Sequence, residues 1–254
     1  MPEAPLGDVD ALLLDMDDTI LGYDAACDPA WEEALIRGLP PALRNRAADF
    51  EDFMRFFTLY KEAFWSDPER HRRGRLDLAA TRAEIVRGAL EERGLSAGEE
   101  AAAIGKAIAL DYGRLQAAAI RPFPGAIEAL TRLRSAGLPM ALLTNGEGPG
   151  QRAKIERFGL GRFFEIILVE GEFGAGKPDP RIFLAALAAL GVPPERALMA
   201  GDNPVWDVAG AQACGIRAVL VDPYGRAAGR NGGEGPVPAA IVRGICEIPG
   251  LIGY

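Results

Sequence analysis

The chain has 254 residues, enough for one large domain or two modest ones whose cores need no staples. Its 36 acidic side chains against 28 basic ones leave a net charge of −8, which disfavours nucleic acid as a partner because a phosphate backbone calls for a basic footprint. No apolar run approaches the roughly eighteen residues of a membrane span, and the opening MPEAPLGDVDALLLD is acidic where a secretory signal is basic, so a cytoplasmic protein with no membrane partner is expected.

In chain order, residues 9–14 (VDALLL) form a short apolar run that ends at Asp15, the pattern of a strand buried on both faces. The pattern then stops for about a hundred residues. Segment 23–121 reads as helical, with helices predicted over 29–37, 47–65, 76–93 and 97–119, and its size marks it as an inserted second domain. After the RPFPG segment at 121–125 the strand pattern returns at 138–143, 165–169, 196–200 and 216–221, with a last short strand at 239–242. Between these strands lie amphipathic stretches closed by Gly137, Gly159, Gly191 and Gly215, which read as helices with glycine stops. Strand and helix alternate, so residues 1–22 and 122–254 are expected to form an α/β, Rossmann-like parallel sheet flanked by helices, with an all-α domain inserted at 23–121.

Three cysteines, at 27, 214 and 246, are too few and too scattered for a disulfide framework or a CxxC metal site. No cysteine is followed six residues on by an arginine, and His71 is the only histidine, which removes cysteine-phosphatase chemistry and multi-histidine zinc sites. Carboxylates are left to carry any chemistry. In an open parallel sheet all strand C-termini share one edge, and ligands bind there. The residues that follow the strands are Asp15-Met16-Asp17-Asp18-Thr19, Thr144-Asn145-Gly146, Gly176-Lys177-Pro178-Asp179 and Gly201-Asp202-Asn203, with Asp207 a little further on. Asp15, Asp17 and Asp202 gathered in one cleft would repel one another unless protons or a cation relieved them. Oxygen donors with no histidine or cysteine point to a hard ion, Mg²⁺. Mg²⁺ shares substrate phosphates readily, and Lys177, Thr144 and loop amides suit the remaining phosphate oxygens, so the cluster fits a phosphoryl group.

With these residues in order, the sequence resembles the haloacid dehalogenase superfamily, in its phosphatase branch carrying a helical cap. The family's four motifs match as Asp15-x-Asp17-x-Thr19, Thr144-Asn145, Lys177 within GKPDP, and Gly201-Asp202 with Asp207, and the resemblance covers essentially the whole chain. It implies that Asp15 is the nucleophile, that Asp17 is the general acid and base, and that Lys177 neutralises charge shared by Asp15 and the phosphate. Asp15, Asp202 and the backbone carbonyl of Asp17 would ligate Mg²⁺, while Thr144 and the amides around Asn145 and Gly146 would hold the phosphoryl oxygens. Asp207 would support the site from behind these groups or serve as an outer Mg²⁺ ligand, and Thr19 would support it. The resulting expectation is an Mg²⁺-dependent phosphomonoester hydrolase that acts on a small soluble metabolite through an aspartyl-phosphate, with the cap opening and closing over it. Related alternatives are a 2-haloacid dehalogenase, disfavoured by the presence of Asp17, a sugar phosphomutase, and a non-catalytic module on the same fold. The motifs leave the substrate and the oligomeric state open.

Other features receive plainer readings. Asp18 and Asp179 read as solvated or capping residues, and Gly171 to Lys177 resembles a P-loop but has Pro178 where a Ser or Thr is needed. Phe50, Phe53, Phe57, Tyr60 and Phe64 recur at helical spacing and read as the core of the inserted domain. The run Arg70-His71-Arg72-Arg73-Gly74-Arg75 reads as a solvated loop, and 225–238 as a glycine-rich loop without assigned function.

Overall fold

The computed structural model describes residues 6, 8–44, 47–226 and 236–254. Most of the glycine-rich stretch at 225–238, and residues 1–5 and 7 of the acidic opening, lie outside them. The chain divides into two compact units, one of residues 1–22 and 121–254 and the other of residues 23–120.

The first unit begins with β1 (Ala11–Leu14), followed by the two-residue β2 (Leu21–Gly22). The helical unit then runs through α1 (Cys27–Gly38), α2 (Pro41–Arg44), α3 (Ala47–Ser66), α4 (Pro68–Gly74), α5 (Leu78–Glu92) and α6 (Gly98–Ala119). The basic run expected to be a loop is therefore largely helical. Its cause is local: Asp67 caps α4 by accepting a 2.8 Å hydrogen bond from the Arg70 N–H, and Pro68 takes the first helical position, where no N–H is needed. The aromatic stripe forms the unit's core as its spacing requires, with Phe53, Phe57 and Phe64 buried among Trp31, Leu35, Ile85, Val86 and Ile108. Trp31 stacks on Tyr112 with ring centroids 3.8 Å apart and meets the edge of Phe57 at 5.1 Å.

Chain returns to the first unit through β3 (Arg121–Pro122), which pairs antiparallel with β2. Because Arg121 is bound to Gly22 in that ladder, it groups with the sheet-bearing unit. Helix α7 (Ala126–Ser135), β4 (Met140–Thr144), α8 (Gly148–Arg157), β5 (Ile166–Val169), α9 (Glu170–Phe173), α10 (Pro180–Leu190), β6 (Ala197–Gly201), a π-helical turn at Pro204–Ala209, α11 (Gly210–Ala213), β7 (Arg217–Val221), β8 (Ala240–Val242) and α12 (Ile248–Leu251) complete it. The four glycines read as helix stops all adopt positive φ, the conformation that ends a helix without a Cβ penalty.

Six strands form one parallel sheet in the order β5-β4-β1-β6-β7-β8, with Leu13 level with Ala141 on one side and Met199 on the other. All four residues of β1 are fully buried, and Leu13 joins Ile182, Phe183, Ala186 and Leu187 of α10 in the core on one face. Side chains alternate across a strand, so the equal burial of Leu12 and Leu14 shows that the opposite face is covered too. Each such leucine contributes about 1.5–3 kcal/mol when withdrawn from water. From β1 the order runs outward through β4 to β5 on one side and through β6 to β7 and β8 on the other. That reversal opens a crevice at the carboxyl ends of β1, β4 and β6.

Candidate active site

The crevice gathers side chains from five segments. The Asp15 N–H donates to the Ala200 carbonyl at 3.0 Å, which extends the β1–β6 ladder by one residue and sets Asp15 at the sheet edge. There the chain turns sharply. Ile20 and Leu21 both donate to the Met16 carbonyl at 2.9 Å, and Asp18 takes a φ of 58°, unusual for a residue with a side chain. This bend lets Asp15 and Asp17 leave strand alternation and serve different partners.

Lys177 is buried to within 2% and bridges two carboxylates, donating to Asp15 Oδ1 at 2.5 Å and forming an ion pair with Asp207 Oδ1 at 2.7 Å. Burial alone would lower its pKa, but the charges of Asp15 and Asp207 outweigh burial and hold the ammonium above the ordinary lysine value. The loop that carries Lys177 is clamped by Asn145, whose Oδ1 accepts from the Lys177 N–H at 2.7 Å and whose Nδ2 donates to the Lys177 carbonyl at 2.8 Å.

Asp207 lies on the π-helical turn, a wide coil that commonly marks functional sites. The stretch closed by Gly215, read as one helix, is thus split into π and α segments, an arrangement that aims the Asp207 carboxylate back at the strand end. Its Oδ2 accepts from the Asn203 N–H at 2.9 Å, while Asn203 Oδ1 caps the turn through the amides of Val205 and Trp206. Gly201 makes room for it, since a Cβ at that position would overlap the Asp207 carboxyl group. Asp202 stands next to these groups. Burial, then the charges of Asp15, Asp207 and Asp18, push its carboxyl up to about 9, with Lys177 opposing. Asp15 is raised likewise, first by burial, with Lys177 opposing and Asp207 adding to the rise.

Oxygens of Asp15, Asp202 and Asp207 all lie within 4.8 Å of one another. Ionised together beside one ammonium, these carboxylates leave two net negative charges in a site of low dielectric. Asp15 Oδ2 is also buried with no hydrogen-bond partner. All-oxygen hard donors, uncompensated charge and orphaned lone pairs are what a small divalent cation such as Mg²⁺ satisfies, so the residues fit one.

The Asp17 carboxylate lies outside this oxygen cluster, although its charge adds to the rise at Asp15. Its Oδ2 accepts from Gln151 Nε2 at 3.1 Å and pairs with the Lys154 ammonium, both on α8. Gln151 Nε2 also donates to the Thr144 hydroxyl and, at 2.8 Å, to the Asn145 carbonyl. The Gly146 N–H is committed to Glu170 Oε2 at 2.9 Å, so Gly146 anchors the loop while its amide stays occupied. Thr19 is fully buried, with a hydroxyl oxygen that has no partner. Asp18, expected to be solvated or capping, is instead buried and accepts from the Tyr224 hydroxyl at 2.7 Å, whereas Asp179 caps α10 as expected, accepting from the Arg181 N–H at 2.9 Å. Gln151, Lys154 and Glu170 were not visible as site residues in the sequence. The inner face of α8 carries Gly148, Gln151 and Ile155, with one large apolar residue, so a glutamine there reads like any surface residue.

The model of the haloacid dehalogenase-like hydrolases matches residues 9–215. A phosphoserine phosphatase of Thermus thermophilus is 37% identical over 227 residues, which span 83% of this chain and 88% of that one. A glyceraldehyde 3-phosphate phosphatase of Methanopyrus kandleri is 28% identical over 84% of each chain. The fold is shared with the magnesium-bound crystal structure of YfnB from Bacillus subtilis, at a TM-score of 0.70 and 21% identity over 97% of this chain and all of that one. The chain therefore belongs to the haloacid dehalogenase-like hydrolase family, on its phosphatase branch.

Proposed function

We propose that this phosphatase is an Mg²⁺-dependent phosphomonoester hydrolase that acts on a small phosphorylated metabolite through an aspartyl-phosphate on Asp15. The observation that carries the reading is the buried Asp15–Lys177–Asp207 bridge beside Asp202, with Asp15 Oδ2 left without a partner, in the crevice where a parallel sheet binds ligands.

Asp15 attacks phosphorus, and the bond to the leaving oxygen breaks as its electron pair moves onto that oxygen. Asp17 gives that oxygen a proton and later takes one from the water that cleaves the acyl-phosphate, which splits one hard displacement into two easier ones. Lys177, already between Asp15 and Asp207, favours the ionised nucleophile against the effect of burial and offsets charge on the phosphoryl group. The Thr144 hydroxyl and the Asn145 amide hold phosphoryl oxygens. Asp15, Asp202 and the Asp17 carbonyl would hold Mg²⁺, with Asp207 supporting them; the ion supplies charge neutralisation between carboxylates and phosphate. Two similar proteins act on short phosphorylated compounds, phosphoserine and glyceraldehyde 3-phosphate, and these head the list of candidate substrates.

The test is phosphate release from a panel of small phosphomonoesters, with Mg²⁺ and with EDTA, by the wild type and by Asp15→Asn. Release that needs both the metal and Asp15 is expected. Halide release from 2-haloacids with no phosphate release would transfer the chain to the dehalogenase reading.

A further inference from the structure

We infer that Gln151 and Lys154 are positioning residues that set the leaving-group acid and the phosphate-holding hydroxyl as one unit. The inference rests on the assignment of Asp17 as general acid and names what holds that acid in place. The two residues are three apart on α8 and so share a face of the helix. Gln151 is only 5% exposed, and its amide nitrogen faces three oxygens: Asp17 Oδ2, Thr144 Oγ1 and the Asn145 carbonyl. A carboxylate and a carbonyl can only accept, so the nitrogen end of the amide must point at the group. The Thr144 hydroxyl accepts as well, which turns its own proton outward, free to be given to a phosphoryl oxygen.

Lys154 pairs with the same Oδ2 of Asp17, at a place where the lysine side chain is 15% exposed and the aspartate 25%. Two donors thereby pin one oxygen of Asp17. The other, Oδ1, is buried with no hydrogen-bond partner. The acid proton belongs on Oδ1, since Oδ2 is occupied by donors, and the pinned carboxylate presents Oδ1 in a fixed direction. The Asp15–Lys177–Asp207 bridge is built from other elements, so the contribution of the α8 pair is to the proton and to the hydroxyl.

Leaving groups distinguish this role from a structural one. p-Nitrophenolate departs without a proton, whereas an alkoxide needs one, and kcat/KM reports the step that breaks the phosphorus–oxygen bond. In the presence of Mg²⁺, Lys154→Met is expected to lower kcat/KM for an alkyl phosphomonoester about tenfold or more, part of the roughly 10²–10⁴ that a positioned acid supplies, and to lower it less than about threefold for p-nitrophenyl phosphate. Lys154→Arg restores most of the loss. Gln151→Leu is expected to impair both esters, because the Thr144 hydroxyl serves any phosphoryl group, and to impair the alkyl ester more. If Lys154→Met does not fold, Lys154→Gln carries the same comparison. Equal losses on the two esters, or no loss on either, in a folded Lys154 variant would overturn the inference and leave the functional reading standing. A wild-type protein that releases phosphate from neither ester would overturn both.

Discussion

Lys177 is held between Asp15 and Asp207, and all three side chains are less than a tenth exposed. Such an arrangement is costly to disturb on one side, because a buried ion stripped of its partner keeps its desolvation penalty and loses its compensation. Lys177→Met, close in length but uncharged, would leave two carboxylates facing each other. Its expected cost is about 3–5 kcal/mol of folding stability, the usual loss for breaking a buried pair, read as a lower urea midpoint in EDTA. Added Mg²⁺ should recover part of that stability in the variant, since a cation meets the same carboxylates. The chemical identities at this scale were legible beforehand: Asp15, Lys177, Asp202 and Asp207 follow strands and had to meet at one edge. The second set, Gln151, Lys154 and Glu170, was not, because what brings them to the crevice is the direction of side chains on short polar helices, which no local pattern marks.

At the scale of elements, capping decides where helices begin, and here it overrode the impression made by charge. Helix α4 starts at an Asp-Pro pair and continues through arginines that read as loop, and α10 starts in the same way at Asp179-Pro180. Asp179 serves twice, accepting from the Arg181 amide and pairing with its guanidinium, and these bonds hold its carboxyl below the ordinary 3.8. A carboxylate whose folded pKa is depressed stabilises the fold above its unfolded pKa, and that contribution is lost as pH falls through the folded value. Asp179→Asn keeps the cap but removes the charge. Its Tm is therefore expected to lie below that of the wild type at pH 6 and to merge with it towards pH 2; a difference that persists in strong acid would contradict this account. The π-helical turn shows the opposite relation. Its sequence is an ordinary helical one after Asn203, and the widened coil coincides with the demand that Asp207 face both the Asn203 amide and Lys177.

Across the whole molecule, two compact units have separate reasons to fold: an aromatic cluster in one, and a parallel sheet with buried faces in the other. The carboxylate site works against the second, since it concentrates negative charge at the sheet edge. A divalent cation that binds the folded form should raise Tm with concentration, adding about 2.7 kcal/mol of folding stability at a hundredfold excess over its Kd. Asp202→Asn should be at least as stable as the wild type in EDTA and respond much less to Mg²⁺; an identical Mg²⁺ response in the two proteins would remove Asp202 from the ligand set. What the sequence determined by itself was the alternation of buried strands with glycine-stopped helices, and hence a parallel sheet with its polar residues at one edge, because periodicity and strand-end position are local properties of the chain. Tertiary structure alone decided which oxygens were left without partners, which amide was already occupied by Glu170, and that Asp17 answers to α8 rather than to the other carboxylates. Those outcomes depend on side-chain direction and on desolvation by residues far away in sequence, as with Asp17 and Lys154 at a separation of 137, which no local pattern encodes.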